Sequence, residues 1–285
     1  MSEPSHVEAD IGWAVVGLGR AGQARVRDLD SLPGHRLVAA VGAREGEAAI
    51  RAAIADDATD AVIVCSDNAS HARWVRAALE ADRHVVCEFP LAEDAETARA
   101  LYALASERRR VLHVELIGLL TESHRGWFAR RERIASITID FAGGRYRWVD
   151  DALRAGLLGT LAVGRLHALW SLCGPLELVA ARHDERDGVS QLDVELRGSA
   201  GQRLALRDAR GPALQRRASW EVREASGAAV EPVPVPPLGA GLFASDLLAA
   251  GERIRTADRA GRYVEDDIVV EVLALADAIN RRLRG

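Results

Sequence analysis

Three glycines stand at the spacing G-x-G-x-x-G in Ala14-Val-Val-Gly-Leu-Gly-Arg-Ala-Gly22, directly after an apolar run. Each answers a separate physical demand. Gly17 lets the chain turn sharply out of a strand, Gly19 lets backbone approach a pyrophosphate, and Gly22 lets the next helix pack closely on that strand. The N–H groups opening the helix expected over Gln23 to Leu29 then point at phosphate, and the helix dipole favours negative charge there. This chemistry is nucleotide binding. Its context fits, because a β-type run (Trp13 to Val16) precedes the glycines and a second (Arg36 to Val41) follows. A glycine turn with no ligand is the competing reading.

The second run ends in Gly42-Ala-Arg44, where a dinucleotide-binding unit reads the adenosine ribose. An acid there would bind the ribose 2′-OH and repel a 2′-phosphate. Arg44 instead suits the 2′-phosphate and favours NADPH, while Glu45 next to it keeps NADH open through a small change of register. Further on, the apolar run Ala61-Val-Ile-Val-Cys65 empties into Ser66-Asp-Asn-Ala-Ser-His71. Ser66 and Asn68 thus fall at a strand's carboxyl end, where open α/β sheets bind ligands. Asn68 or Ser70 also fits a plain helix N-cap.

Composition narrows the chemistry. All 37 residues counted as Lys+Arg are arginine, which excludes a Schiff-base enzyme, a lysine-bearing phosphate loop and any lysine acid. A formal net charge of −5 gives no reason to expect nucleic acid as a partner. Cys65, Cys87 and Cys173 are scattered without C-x-x-C spacing, so neither a disulfide framework nor a metal site is expected. No apolar run approaches the ~18 to 20 residues needed to span a bilayer, and Met1 to Asp10 is polar. The expectation is a cytoplasmic protein without a membrane partner.

The elements that must position these residues follow from periodicity. Apolar runs at Ala61 to Cys65, His84 to Glu88 and Val111 to Glu115 alternate with helices expected at Ala72 to Ala81 and Ala92 to Glu107. That alternation predicts an α/β fold with a doubly wound parallel sheet, a Rossmann unit, over residues 1–120. Residues 121–285 change character. Strand-like segments at Ile134 to Phe141, Leu176 to His183, Gln191 to Leu196, Arg203 to Arg207 and Ala218 to Arg223 surround one helix, Leu157 to Leu172. They predict an α+β domain with a large open, mostly antiparallel sheet that binds substrate or self-associates into a homo-oligomer. Helices at Phe243 to Thr256 and Val264 to Leu283 close the chain.

In this order the motifs resemble the glucose–fructose-type (Gfo/Idh/MocA) oxidoreductases, and within them the biliverdin reductase group. The resemblance rests on Gly17-Leu-Gly-Arg-Ala-Gly22 with Arg25-Val-Arg-Asp-Leu29, on Val86-Cys-Glu-Phe-Pro90, and on Val111-Leu-His113 with Glu115. It also rests on Arg165 in a Gly-Arg-Leu helix before Ser171-Leu-Cys-Gly174. It implies a cofactor set of Gly17, Gly19, Arg20, Ala21, Gly22, Arg44, Ser66, Asn68, His71, Glu88 and Pro90. Most of the broad group carries lysine at the middle of Glu-x-Pro, and the biliverdin reductases carry tyrosine; here it is Phe89. By the same resemblance Arg165 faces the nicotinamide, where a guanidinium can bind a substrate carboxylate or protonate a ring nitrogen.

His167 falls where sugar dehydrogenases of the group keep a catalytic histidine, and Glu115 completes the implied catalytic set of Arg165, His167, Glu115 and Phe89. Arg165 and His167 point to different helix faces, about 200° apart, so His167 is an acid or a core residue. Arg145 and Arg147 after Gly143-Gly144, with Tyr146 and Trp148, suit a planar acidic ligand, or form a charged loop. Leu116 and Gly118 replace polar residues of the mammalian relatives. The activity implied is NAD(P)H-dependent reduction of a linear tetrapyrrole, the biliverdin step of heme degradation, with the proton from Arg165 or water. The alternatives are an imine or carbonyl reductase using His167, and a cofactor-binding protein without catalysis.

Overall fold

The computed structural model describes residues 10–256 and 264–284. The chain forms two compact units, one from Met1–Leu91, Ala100–Glu115 and Leu238–Tyr263, the other from Ala92–Arg99, Leu116–Pro237 and Val264–Gly285. The five strands of the first are β1 (Ile11–Val16), β2 (His35–Val41), β3 (Ala61–Val64), β4 (His84–Cys87) and β5 (Leu112–Val114), all parallel in the order β2-β1-β3-β4-β5. Successive strands are joined through α1 (Arg20–Leu29), α2 (Gly46–Ala55), α3 (Asn68–Glu80) and α4 (Ala95–Glu107). Strands β1 and β3 are buried at every position, as unbroken apolar runs are in a parallel sheet covered on both faces. Chain direction across the sheet reverses between β1 and β3. That is the switch point where open α/β sheets bind ligands.

Trp13 is fully buried in this core, and its indole N–H donates to His35 Nδ1 at 3.0 Å. The bond satisfies a donor that burial would otherwise strand at a cost of about 1–3 kcal/mol.

The second unit contains α5 (Glu122–Phe128), β6 (Ser136–Gly143), α6 (Arg147–Ala155), α7 (Leu158–Leu161), α8 (Val163–Cys173), β7 (Glu177–Arg186), β8 (Val189–Arg197), β9 (Arg203–Arg210) and β10 (Arg217–Arg223). Its sheet runs β10-β6-β9-β8-β7, antiparallel except that β6 and β9 pair in parallel. Burial alternates along β6, β8 and β9. Ile137, Ile139, Leu192, Val194, Leu196, Leu204 and Leu206 line the covered face, and the period of two assigns the polar residues between them to the other.

The helix expected over Leu157 to Leu172 is two helices, α7 and α8, meeting at Ala162. The segment after Gly144, expected as a loop, turns into α6 at Arg147. The last two helices are α9 (Leu242–Arg255) and α10 (Val264–Arg284). Helix α9 belongs to the first unit and α10 to the second, so the continuous domains expected at 1–120 and 121–285 are interleaved. The physical reason is Arg25 on α1, fully buried, which donates to the Phe243 carbonyl at 2.9 Å and to Asp246 Oδ2 at 2.6 Å, both on α9.

Candidate functional site

The glycine turn is built as its spacing requires. Gly17 has φ +97°, and a Cβ there would lie 2.5 Å from the Cys65–Ser66 backbone leaving β3. A Cβ on Gly22 would overlap the Gly17 carbonyl oxygen. Gly19 differs, because its Cβ would meet nothing within 4 Å and its φ of −70° is open to any residue. Two glycines therefore close the turn, and the third leaves space above the α1 N-terminus. No side chain caps that helix and no acid lies in its first turn. Arg20, exposed, and Ala21, half-buried, begin it. The arrangement fits the pyrophosphate of a dinucleotide, with free N–H groups and the positive dipole end supplying the contacts.

After β2 the backbone makes a short 3-10 turn over Ala43–Glu45. Glu45 Oε2 accepts a hydrogen bond from the Gly42 N–H at 3.0 Å, which ties that carboxylate to its own turn, whereas the Arg44 side chain is exposed.

Ser66, Asn68 and His71 all follow β3, but in different roles. Ser66 Oγ accepts from Ser70 Oγ–H at 2.8 Å, and Asn68, half-buried, opens α3. His71 is only 1% exposed. Its ring lies between two carbonyl oxygens, Pro90 O at 2.7 Å from Nδ1 and Ser66 O at 3.1 Å from Nε2. The residue expected to touch cofactor instead ties the loop after β3 to the loop after β4. Burial lowers its pKa, against the two carbonyls that favour the charged form.

The loop after β4 holds Glu88, Phe89 and Pro90. Glu88 Oε1 accepts from Arg25 Nε at 3.2 Å and Nη2 at 3.0 Å, so the carboxylate expected at the cofactor is anchored to α1. Burial raises the Glu88 pKa, and Arg25 only partly offsets it. For Arg25, burial opposes the charge but Asp246 and Glu88 outweigh it and hold the guanidinium above its usual value.

Asp246 also receives His113 Nε2–H at 2.9 Å. That tautomer follows from the other ring nitrogen, since His113 Nδ1 accepts from Arg253 at 3.0 Å. Burial would raise the Asp246 pKa, but His113 and Arg25 together bring it below its usual value. Removing one member of such a buried network costs about 3–5 kcal/mol. Phe89 is 37% exposed, Pro90 is buried, and Glu115, just beyond β5, is 1% exposed. Asp246 was not legible as a partner for Arg25, because 221 residues separate them. A lone arginine on the apolar face of α1 was the available signal.

In the second unit Arg165 stands on the first turn of α8. Its Nη2 donates to Asp208 Oδ2 and, at 2.6 Å, to the Leu161 carbonyl. Arg210 holds the same carboxylate with two bonds, Nε to Oδ1 at 2.6 Å and Nη2 to Oδ2 at 3.2 Å. The Phe141 ring packs against both guanidinium groups, at 4.2 Å from Arg165 and 4.4 Å from Arg210. Arg165 Nε is buried with no hydrogen-bond partner among the described residues. Burial, only partly offset by Asp208 and reinforced by Arg210, lowers the Arg165 pKa to about 10. Asp208 and Arg210 were missed because the expected strand stopped at Arg207. Continuing the alternation Leu204, Leu206 would have turned both inward.

His167, two residues along, is 2% exposed, and burial lowers its pKa to about 3. A neutral core imidazole is a poor acid near neutral pH, so of its two readings His167 fits that of a core residue. Arg145 is committed as well. Its Nε donates to Asp150 at 2.5 Å and its Nη1 to Glu185 at 2.8 Å, which leaves it a structural tie rather than a free anion binder. Arg147 is almost wholly exposed and is 3.9 Å from Asp151. Tyr146 and Trp148 are exposed beside it, and no cluster of potential metal ligands occurs among the described residues.

The family model described as an oxidoreductase family with an NAD-binding Rossmann fold matches residues 11–116. Biliverdin reductase A of Mus musculus is 30% identical over 250 residues, which cover 82% of this chain and 83% of that protein. Among solved structures, biliverdin reductase from Synechocystis sp. PCC 6803, in complex with biliverdin and NADP+, superposes with a TM-score of 0.79 at 21% identity. It covers 96% of this chain and 99% of its own. The apo scyllo-inositol dehydrogenase of Lactobacillus casei superposes with a TM-score of 0.76 at 14% identity, covering 98% of this chain and 97% of its own. The chain belongs to the glucose–fructose-type (Gfo/Idh/MocA) oxidoreductase family, within which it is biliverdin reductase-like.

Proposed function

We propose that this protein is an NADPH-dependent reductase of a linear tetrapyrrole, with biliverdin the substrate and Arg165 the proton donor. The observation that carries the reading is the state of Arg165. Its guanidinium hydrogen-bonds to protein only through Nη2, its buried Nε has no hydrogen-bond partner among the described residues, and burial lowers its pKa to about 10. When bound at the glycine turn, NADPH would supply the hydride for the central methine carbon of the substrate. Arg165 holds a proton for the adjacent ring nitrogen, so that carbon and nitrogen each gain one hydrogen, and solvent then restores the guanidinium. A planar, delocalised cation with the two Nη1 N–H donors left over besides the buried Nε–H suits a flat substrate with ring nitrogens and carboxylates.

Preference for NADPH over NADH rests on Arg44, exposed after β2 and able to pair with a 2′-phosphate, and on Glu45, whose carboxylate is held by the Gly42 N–H. Phe89 has no proton to give, so neither the lysine nor the phenol of related proteins takes part. An imine or carbonyl reductase working through His167 would need an imidazolium that burial removes. Replacing Arg165 by alanine is expected to lower turnover about 10²–10⁴-fold and to leave NADPH affinity, which belongs to the first unit, unchanged. Stopped-flow bilin reduction and fluorescence titration of NADPH check the two halves. Unchanged turnover would overturn the assignment.

A further inference from the structure

One carboxylate serves two arginines in the second unit. Asp208 is 1% exposed and Arg210 5% exposed, so the group is two cations and one anion in apolar surroundings. Arg216 adds a further positive charge toward Arg165. Such an excess of buried charge is unfavourable by itself. The geometry shows what it does. Left alone with one arginine, a carboxylate closes a two-point fork on the guanidinium. Here Arg210 occupies that fork, with Nε on Oδ1 and Nη2 on Oδ2, and Arg165 reaches only Oδ2 through Nη2.

We propose that Arg210 is a positioning residue for Arg165: by gripping both oxygens of Asp208 it limits Arg165 to single-point anchoring through Nη2 and so keeps the Nη1 donors of Arg165 available to substrate. The inference rests on the reading of Arg165 as proton donor. Both arginines also reach the Leu161 carbonyl, Arg165 at 2.6 Å and Arg210 at 3.5 Å, and both pack on Phe141. The five groups are thus one assembly in which removal of Arg210 frees Asp208 to swing onto Arg165. The freed carboxylate takes a second donor and strengthens the hold of Arg165 on its proton.

The test is Arg210→Gln, alone and combined with Arg165→Ala. Alone, Arg210→Gln is expected to lower kcat about tenfold and to move the alkaline limb of the kcat profile up by about one pH unit, one unit being a tenfold change in acidity. With Arg165 already alanine it should change kcat less than about twofold, because coupled residues are not additive. Equal loss in both backgrounds, with an unmoved pH limb, would overturn the proposal and leave Arg210 as scaffold. Arg210→Lys, which keeps the charge but cannot make the fork, serves if glutamine prevents folding, and the same outcomes are expected of it. Guanidinium carbon-13 NMR of Arg165 reads the same claim without turnover. Its titration should move to higher pH in the variant, and a static titration overturns the positioning role. If wild-type protein reduces no bilin but the titration still moves, only the functional reading fails.

Discussion

Arg165 and His167 are neighbours on α8 whose side chains leave the helix about 200° apart, and that rotation divides their chemistry. Arg165 stands at the Asp208 carboxylate with donors to spare, while His167 is enclosed and neutral. His167 therefore affects stability rather than turnover. Its pKa in the fold is about 3 against 6.5 for the free group. Between those values the unfolded chain binds a proton that the folded chain does not. Its contribution is fully present above about pH 6.5 and is lost as pH falls toward 3, at about 1.4 kcal/mol per pH unit. His124, whose pKa burial lowers to about 4, acts in the same direction. His167→Leu is expected to keep turnover within about twofold of wild type and to shrink the stability lost between pH 7 and pH 5. Urea denaturation at the two pH values measures it, and an undiminished loss would contradict the assignment.

The first turn of α1 makes the element-level case, since its glycines do different things. Gly22→Ala forces a methyl into the Gly17 carbonyl and should destabilise the unit, whereas Gly19→Ala meets open space and should leave the melting temperature within a few degrees. Gly19→Ala should nevertheless weaken NADPH binding at least tenfold, because the methyl points where pyrophosphate must approach. Calorimetry and cofactor titration on both variants separate the two effects. Equal affinity of Gly19→Ala and wild type for NADPH would contradict the assigned cradle.

These glycines were legible because their spacing is a local signature, even though Gly17 also meets the Cys65–Ser66 backbone leaving β3. The strands β1 to β5 were legible too, since a buried parallel strand is an unbroken apolar run. What sequence did not reveal depends on distant partners. The sequence pointed to a helix over Phe243 to Thr256 but not to the meeting of Asp246 and Phe243 with Arg25, and it could not tell that β6 pairs with β9 in parallel. The Ala162 break between α7 and α8 carried no proline or cap to announce it. Asp208 and Arg210 lay beyond the strand expected to end at Arg207, and the structure extends that strand through both, paired with β8 on one side and β6 on the other.

Each unit carries one part of the proposed chemistry: the glycine cradle and Arg44 in the first, the Arg165–Asp208–Arg210 assembly in the second. The chain passes repeatedly between them, so neither unit is a continuous segment that truncation could isolate. No helix among the described residues is long and apolar enough to cross a membrane. Family membership establishes an oxidoreductase, and substrate identity is the step beyond it. The decisive measurement is absorbance of purified full-length protein with biliverdin and NADPH, repeated with NADH, following the bilin's long-wavelength band as its central methine is reduced. We predict loss of that band with both reductants and at lower cofactor concentration with NADPH. NADPH binding confirmed by fluorescence, with the band unchanged over many hours, would contradict the tetrapyrrole reductase reading.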